Sequence, residues 1–85
     1  MQSLNETTIV LRREGRRGQD LTPAELKRLG IVAKTHSSDS LKIINCGRQA
    51  MWVEGTPLAP KRAVIAKPGV KLTRGTNRLV VEWKV

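Results

Sequence analysis

The 85-residue sequence contains no phenylalanine, no tyrosine, one cysteine and one histidine. A single cysteine excludes an internal disulfide, and one cysteine with one histidine cannot supply the ligands of a structural zinc site. The sequence has no apolar run of membrane-spanning length and no secretory signal at its start. These absences predict a protein that has no membrane partner and is not secreted by a conventional signal.

Acidic residues are also scarce, with seven Asp and Glu against 16 Lys and Arg, which gives a formal net charge of +9. So large an excess on a short chain creates a field that attracts polyanions or an acidic protein surface. The charge therefore predicts a binding role but does not choose between these two partners.

The residues that catalysis needs are too few and too scattered to form a recognisable site. His36 and Cys46 lie ten positions apart with no third group to orient a base. The acids are dispersed, and there is neither a phosphate-binding loop nor a dinucleotide motif. We expect a non-enzymatic protein with no cofactor, no metal and no small-molecule substrate.

The segment LTPAELKRLG carries the clearest local signal. Thr22 suits the N-cap, Pro23 the first helical position, and Glu25 completes a capping box with Thr22. Gly30 suits the left-handed residue that ends a helix. These residues predict one short α-helix, about Pro23 to Leu29.

The rest of the chain alternates short β-prone runs with turn residues, a pattern typical of small β-folds. The predicted runs are Thr7–Arg13, Ile31–Thr35, Leu41–Cys46, Ala50–Glu54, Ala63–Ala66, Val70–Thr73 and Arg78–Val85. We expect a mainly β fold, a six- to seven-stranded sandwich or barrel with that one helix. Residues 1–8 are predicted to be a polar arm, and residues 9–85 a single compact domain.

Both tryptophans are expected to fill the core, because it otherwise contains only aliphatic side chains. Trp83 alternates in register with Leu79 and Val81 in the last run, which places the three on one face. Cys46 is likewise expected to be a small buried hydrophobic residue.

The segments WVEGTPL, VIAKPGVKLTRG and NRLVVEW resemble the closing strands of forkhead-associated domains. In that family a short hairpin precedes a Pro-Gly or Asp-Gly turn and two final strands. The resemblance implies sheet topology alone, because the elements with which that family reads phosphothreonine are missing from this sequence.

The segment RREGRRG concentrates positive charge in Arg12, Arg13, Arg16 and Arg17. Guanidinium groups suit phosphates and carboxylates, and the adjacent glycines would let the backbone approach a ligand. The segment predicts a binding surface for a polyanion or an acidic partner. The alternative is a solvated loop with ordinary arginines.

A second basic set occupies the C-terminal turns and strands: Lys61, Arg62, Lys67, Lys71, Arg74 and Arg78. No acid occurs between Glu54 and Glu82, so this positive charge is undiluted in the sequence. If the last strands pair, Lys71 lies on an outer face near Arg78. The set predicts a polyanion groove, with scattered solubilising charge as the alternative.

A short chain without a disulfide or a metal commonly depends on a partner for stability. The polar arm is too hydrophilic to order itself, so neighbouring chains would hold it. We therefore expect an assembly protein in a homo- or hetero-oligomer, most plausibly a virion component such as a capsid-decorating, cement or joining protein. One alternative is a small nucleic-acid-binding module, and another is an inhibitor or adaptor that docks on an acidic protein complex. The expected location is the virion or the cytoplasm.

Overall fold

The computed structural model describes residues 9–15 and 20–84, and their fold is mainly β, as predicted. This part of the chain forms eight strands and one short helix. The strands are β1 (Ile9–Arg13), β2 (Ile31–Ser37), β3 (Ser40–Asn45), β4 (Met51–Val53), β5 (Thr56–Leu58), β6 (Ala63–Ala66), β7 (Lys71–Arg74) and β8 (Asn77–Trp83). The predicted arm, residues 1–8, lies outside the described residues.

The helix, α1, spans Pro23–Leu29 and is confirmed at both ends. The Thr22 hydroxyl accepts the Glu25 N–H at 3.1 Å, and the Glu25 carboxylate accepts the Thr22 N–H at 2.9 Å. Gly30 follows in the left-handed conformation, with a φ of 70°. Within the described residues no helix has the length and apolar character that crossing a membrane requires.

The strands form two antiparallel sheets that pack in a sandwich-like arrangement. The large sheet has the order β1-β8-β7-β4-β5, and the small sheet has the order β2-β3-β6. A single hydrophobic cluster draws on both sheets: Ile9, Leu11, Leu21, Ile31, Leu41, Ile43, Met51, Ala66, Leu72, Leu79 and Val81. Each sheet therefore has one inner and one outer face.

The predicted run Ala50–Glu54 is one half of a hairpin whose other half was expected to be loop. In the hairpin Trp52 pairs with Pro57, and Val53 with Thr56. Proline is tolerated in β5 because β5 is at the edge of the sheet and pairs on one side within the described residues.

The prediction that both tryptophans and Cys46 are buried was wrong. Trp52 is 47% exposed, because it lies on the outer face of the large sheet while Met51 and Val53 point inward. Trp83 is 41% exposed at the end of β8, although Val81 in the same register is fully buried. Cys46, directly after β3, is exposed. Aliphatic side chains thus fill the core.

Candidate interaction surface

Arg12 was predicted to bind a polyanion or an acidic partner surface, and the structure corrects this. Only 4% of its surface is exposed. Its guanidinium group lies 3.2 Å from the Asp20 carboxylate and 3.2 Å from the Glu82 carboxylate. A buried guanidinium held by two carboxylates has little capacity for a further anion, and removing Arg12 would leave both carboxylates without their cationic partner. Arg12 therefore has a structural role.

Arg13 is half-buried and engaged by the protein itself. It donates a hydrogen bond to Asn77 Oδ1 at 2.9 Å and lies 3.7 Å from the Glu25 carboxylate. Arg16 and Arg17 lie outside the described residues, so their predicted role stays a prediction. In the described part of the RREGRRG segment, both arginines thus have acidic partners.

Lys71 and Arg78 share the outer face of the large sheet, as expected from strand pairing, since Lys71 pairs with Val80 and Arg78 with Thr73. The face is not strongly positive, however. Lys71 Nζ lies 3.1 Å from the Glu14 carboxylate. The positive charge that is barely diluted along the sequence is diluted in the fold, because neighbouring segments bring acids that are distant in sequence. Acids on or beside this sheet are Glu14, Asp20, Glu25, Glu54 and Glu82.

Arg74 was also predicted to face a partner, and the structure turns its head group inward instead. It donates to the carbonyl oxygens of Gln49 at 2.8 Å and Gly30 at 3.3 Å, and to Asn45 Oδ1. Asn45 is fully buried and donates in turn to the carbonyl oxygens of Gln49 and Leu58. This network joins β7 of the large sheet to β3 of the small sheet, so Arg74 is a link between the two layers.

The remaining members of the second basic set are exposed but divided between the sheets. Lys61 and Arg62 precede β6 and Lys67 follows it, so these three flank one edge strand of the small sheet. Arg78 lies on the large sheet. The structure therefore separates the predicted single groove into two surfaces.

Two lysines that the sequence analysis did not single out face each other on the small sheet. Lys34 of β2 lies directly opposite Lys42 of β3, and both are exposed. Directly opposed like charges destabilise a strand pair. The fold therefore carries a local electrostatic cost at this position.

The same face carries apolar side chains, of which Ala63 and Ile65 are exposed and Val32 and Ile44 are half-buried. Val32, Ile44 and Ala63 form one cross-strand row, and Lys34, Lys42 and Ile65 form the next. Ile65 is 44% exposed. We call this surface the small-sheet face: Val32, Lys34, Lys42, Ile44, Ala63 and Ile65.

The charges around the small-sheet face are strongly unbalanced. Residues 31–45 and 60–67 contain five lysines and arginines and one acid. That acid, Asp39, lies in the turn between β2 and β3 and accepts the Ser37 hydroxyl at 2.8 Å. Five cations against one acid give the small sheet and its flanking residues a net charge of +4.

Strand alternation could have revealed this face. Val32 and Lys34 alternate with the buried or half-buried Ile31 and Ala33 in the sequence, which places them outward. Lys34 and Lys42 are separated in the sequence, so they do not stand out as a charge cluster until strand pairing makes them neighbours.

Comparison with protein families, curated proteins and solved structures found no significant match. In residues 9–15 and 20–84 no group of three or more His, Cys, Asp and Glu side chains is placed to hold a metal ion.

Proposed function

We propose that this protein is a non-enzymatic docking subunit of a larger assembly, most plausibly a virion component, and that its small-sheet face binds an acidic, partly apolar surface of a neighbouring subunit. The observation that carries the proposal is the opposed pair Lys34 and Lys42 beside the half-exposed Ile65. An acidic partner would turn the repulsion between the lysines into attraction, and burial of Ile65 would add affinity.

The chemistry of the face favours an acidic protein over two other occupants. A second copy of the chain would bring the same lysines together, and like-charge contacts across an interface are costly. Single-stranded nucleic acid is bound mainly through aromatic side chains on which bases stack. The small-sheet face, by contrast, is lined by aliphatic and lysine side chains.

The substitution Lys42→Glu tests the proposal through two measurements on one variant. It replaces a repulsive cross-strand pair with an attractive one, so we expect the free energy of unfolding to rise by about 0.2–1 kcal/mol. We also expect affinity for a short, fluorescent peptide of glutamate and leucine to fall by about tenfold, which corresponds to about 1.4 kcal/mol. Urea unfolding and fluorescence anisotropy measure the two effects. A gain in stability with a loss of binding is the pattern of a residue kept for function.

Lys84→Glu is the matched control, since it makes the same charge change at an exposed position beyond β8. We expect little change in either measurement. If both substitutions lowered peptide affinity equally, net charge alone would attract the peptide. The small-sheet face would then no longer be the proposed binding surface.

Single-stranded nucleic acid binding is a second candidate, favoured by one observation on the large sheet. Trp52, Thr73 and Arg78 form a cross-strand row on its outer face, with the Trp52 ring half-exposed. An exposed aromatic and an arginine two strands apart on one face can together stack a base and contact a phosphate. The acids of this face, Glu14 among them, oppose the long phosphate track that such proteins use, so we rank this function second.

A further inference from the structure

An apolar groove adjoins the small-sheet face where α1 meets β2. Its volume is about 550 Å³, within the range of about 300–1,000 Å³ typical of pockets that bury ligand groups. Its lining includes Leu26, Lys27, Ile31, Val32, Ala33 and Cys46. Most of its side chains are apolar, and Lys27 supplies a positive charge.

The groove is continuous with the small-sheet face rather than separate from it. Val32 belongs to both surfaces. Cys46 follows the buried Asn45, and strand alternation therefore places it on the same side as Ile44. An apolar strip thus runs from α1 across all three strands to Ile65, a width of two strand spacings, about 10 Å.

Resting on the proposed function, we infer that the groove seats apolar anchor side chains of the same acidic partner segment whose carboxylates meet Lys34 and Lys42. Charge complementarity favours a negatively charged partner, because Lys27, Lys34 and Lys42 border the strip. The anchors supply most of the affinity, since a few buried side chains usually dominate an interface.

The chemistry of the lining favours a protein segment over a free small molecule. Small-molecule sites fix their ligand with a few convergent polar groups. Here the polar side chains of the lining are Lys27 and Cys46, while the apolar strip extends well beyond the groove. A segment with spaced apolar side chains matches this shape.

Cys46 provides a selective test, because it is the only cysteine of the chain and is exposed. A neutral thiopyridyl group attached to Cys46 through a disulfide would fill the groove, and dithiothreitol would remove it. The two probes are the glutamate–leucine peptide and a polyglutamate peptide of equal charge. We expect the label to lower the affinity for the leucine-containing peptide by about tenfold and to leave the affinity for polyglutamate unchanged. Reduction should restore the affinity of the unmodified protein in full.

The outcomes separate the groove from the docking face. If the leucine-containing peptide binds the unmodified protein no tighter than polyglutamate, or if the label has no effect while Lys42→Glu weakens both peptides, the groove takes no anchor and the proposed function stands. If neither peptide binds the unmodified protein, the proposed function and this inference both fail. Loss of polyglutamate binding on labelling would also overturn the inference, because the label would then block charge contacts rather than an anchor.

Discussion

At the scale of single residues, Gly30 and Gly47 lie in contact where α1 ends. A Cβ atom at Gly30 would come 2.9 Å from the Gly47 Cα atom, which is too close for the backbone to remain in place. Gly30 also has a φ of 70°, and its carbonyl oxygen accepts the Cys46 N–H at 2.7 Å and a hydrogen bond from Arg74. Gly30 thus ends the helix and also holds the loop after β3 through a backbone hydrogen bond.

Gly30→Ala should be the most destabilising of the left-handed glycine substitutions, and Gly75→Ala is its control. Gly75 has a similar φ of 61°, but nothing lies within 4 Å of its ideal Cβ position. We expect Gly75→Ala to cost about 1–2 kcal/mol from backbone strain alone, and Gly30→Ala to cost about 1 kcal/mol more, because the loop must also move. Urea unfolding measures both, and equal costs would show that the contact with Gly47 is unimportant.

At the scale of elements, local signals decided what the sequence could predict. The bounds of α1 follow from Thr22, Glu25 and Gly30, which act within one or two turns of the helix, so the helix could be predicted closely. Strand β5 could not, because Pro57 breaks the β pattern and is tolerated only through its edge position. The exposure of Trp83 depends on how far the second sheet extends, which no pattern within β8 encodes.

The capping box should make a pH-dependent contribution to stability. The pKa of Glu25 is lowered from 4.5, first by its hydrogen bond with the Thr22 backbone and then by that with the Thr22 side chain. A lowered pKa in the folded state stabilises the fold above the unfolded pKa, and this contribution is lost as pH falls through the lowered value.

Thr22→Ala should therefore cost about 1 kcal/mol at neutral pH, and the difference from the parent should narrow at acidic pH. Thr22→Ser, which keeps the hydroxyl group, is the control and should change little. The measurement is urea unfolding of the three proteins at neutral pH and below pH 4.5. A difference between Thr22→Ala and the parent that stays constant across this range would show that the Thr22 hydroxyl group does not contribute to the lowered pKa of Glu25.

At the scale of the whole molecule, strand pairing places five acids on or beside the large sheet and leaves the small sheet with one. Of the residues predicted to form a basic surface, Lys61, Arg62 and Lys67 flank the small sheet. Arg12, by contrast, is buried against Asp20 and Glu82 by pairing between distant segments. Lys34 and Lys42 are eight positions apart and become neighbours only in the β2–β3 hairpin. Composition therefore predicts a binding role without choosing the partner, while the location of the proposed interface required the fold.

An NMR titration of isotope-labelled protein with the glutamate–leucine peptide tests the central claim most directly, since backbone amide signals report each strand separately. We expect the largest shifts in β2, β3 and β6 and in Cys46, with the Trp52 indole signal unmoved. Shifts concentrated at Trp52 and along β7 and β8 would contradict the assignment of the small-sheet face. If oligothymidine, and not the peptide, produced shifts there, the nucleic-acid function would replace the docking function.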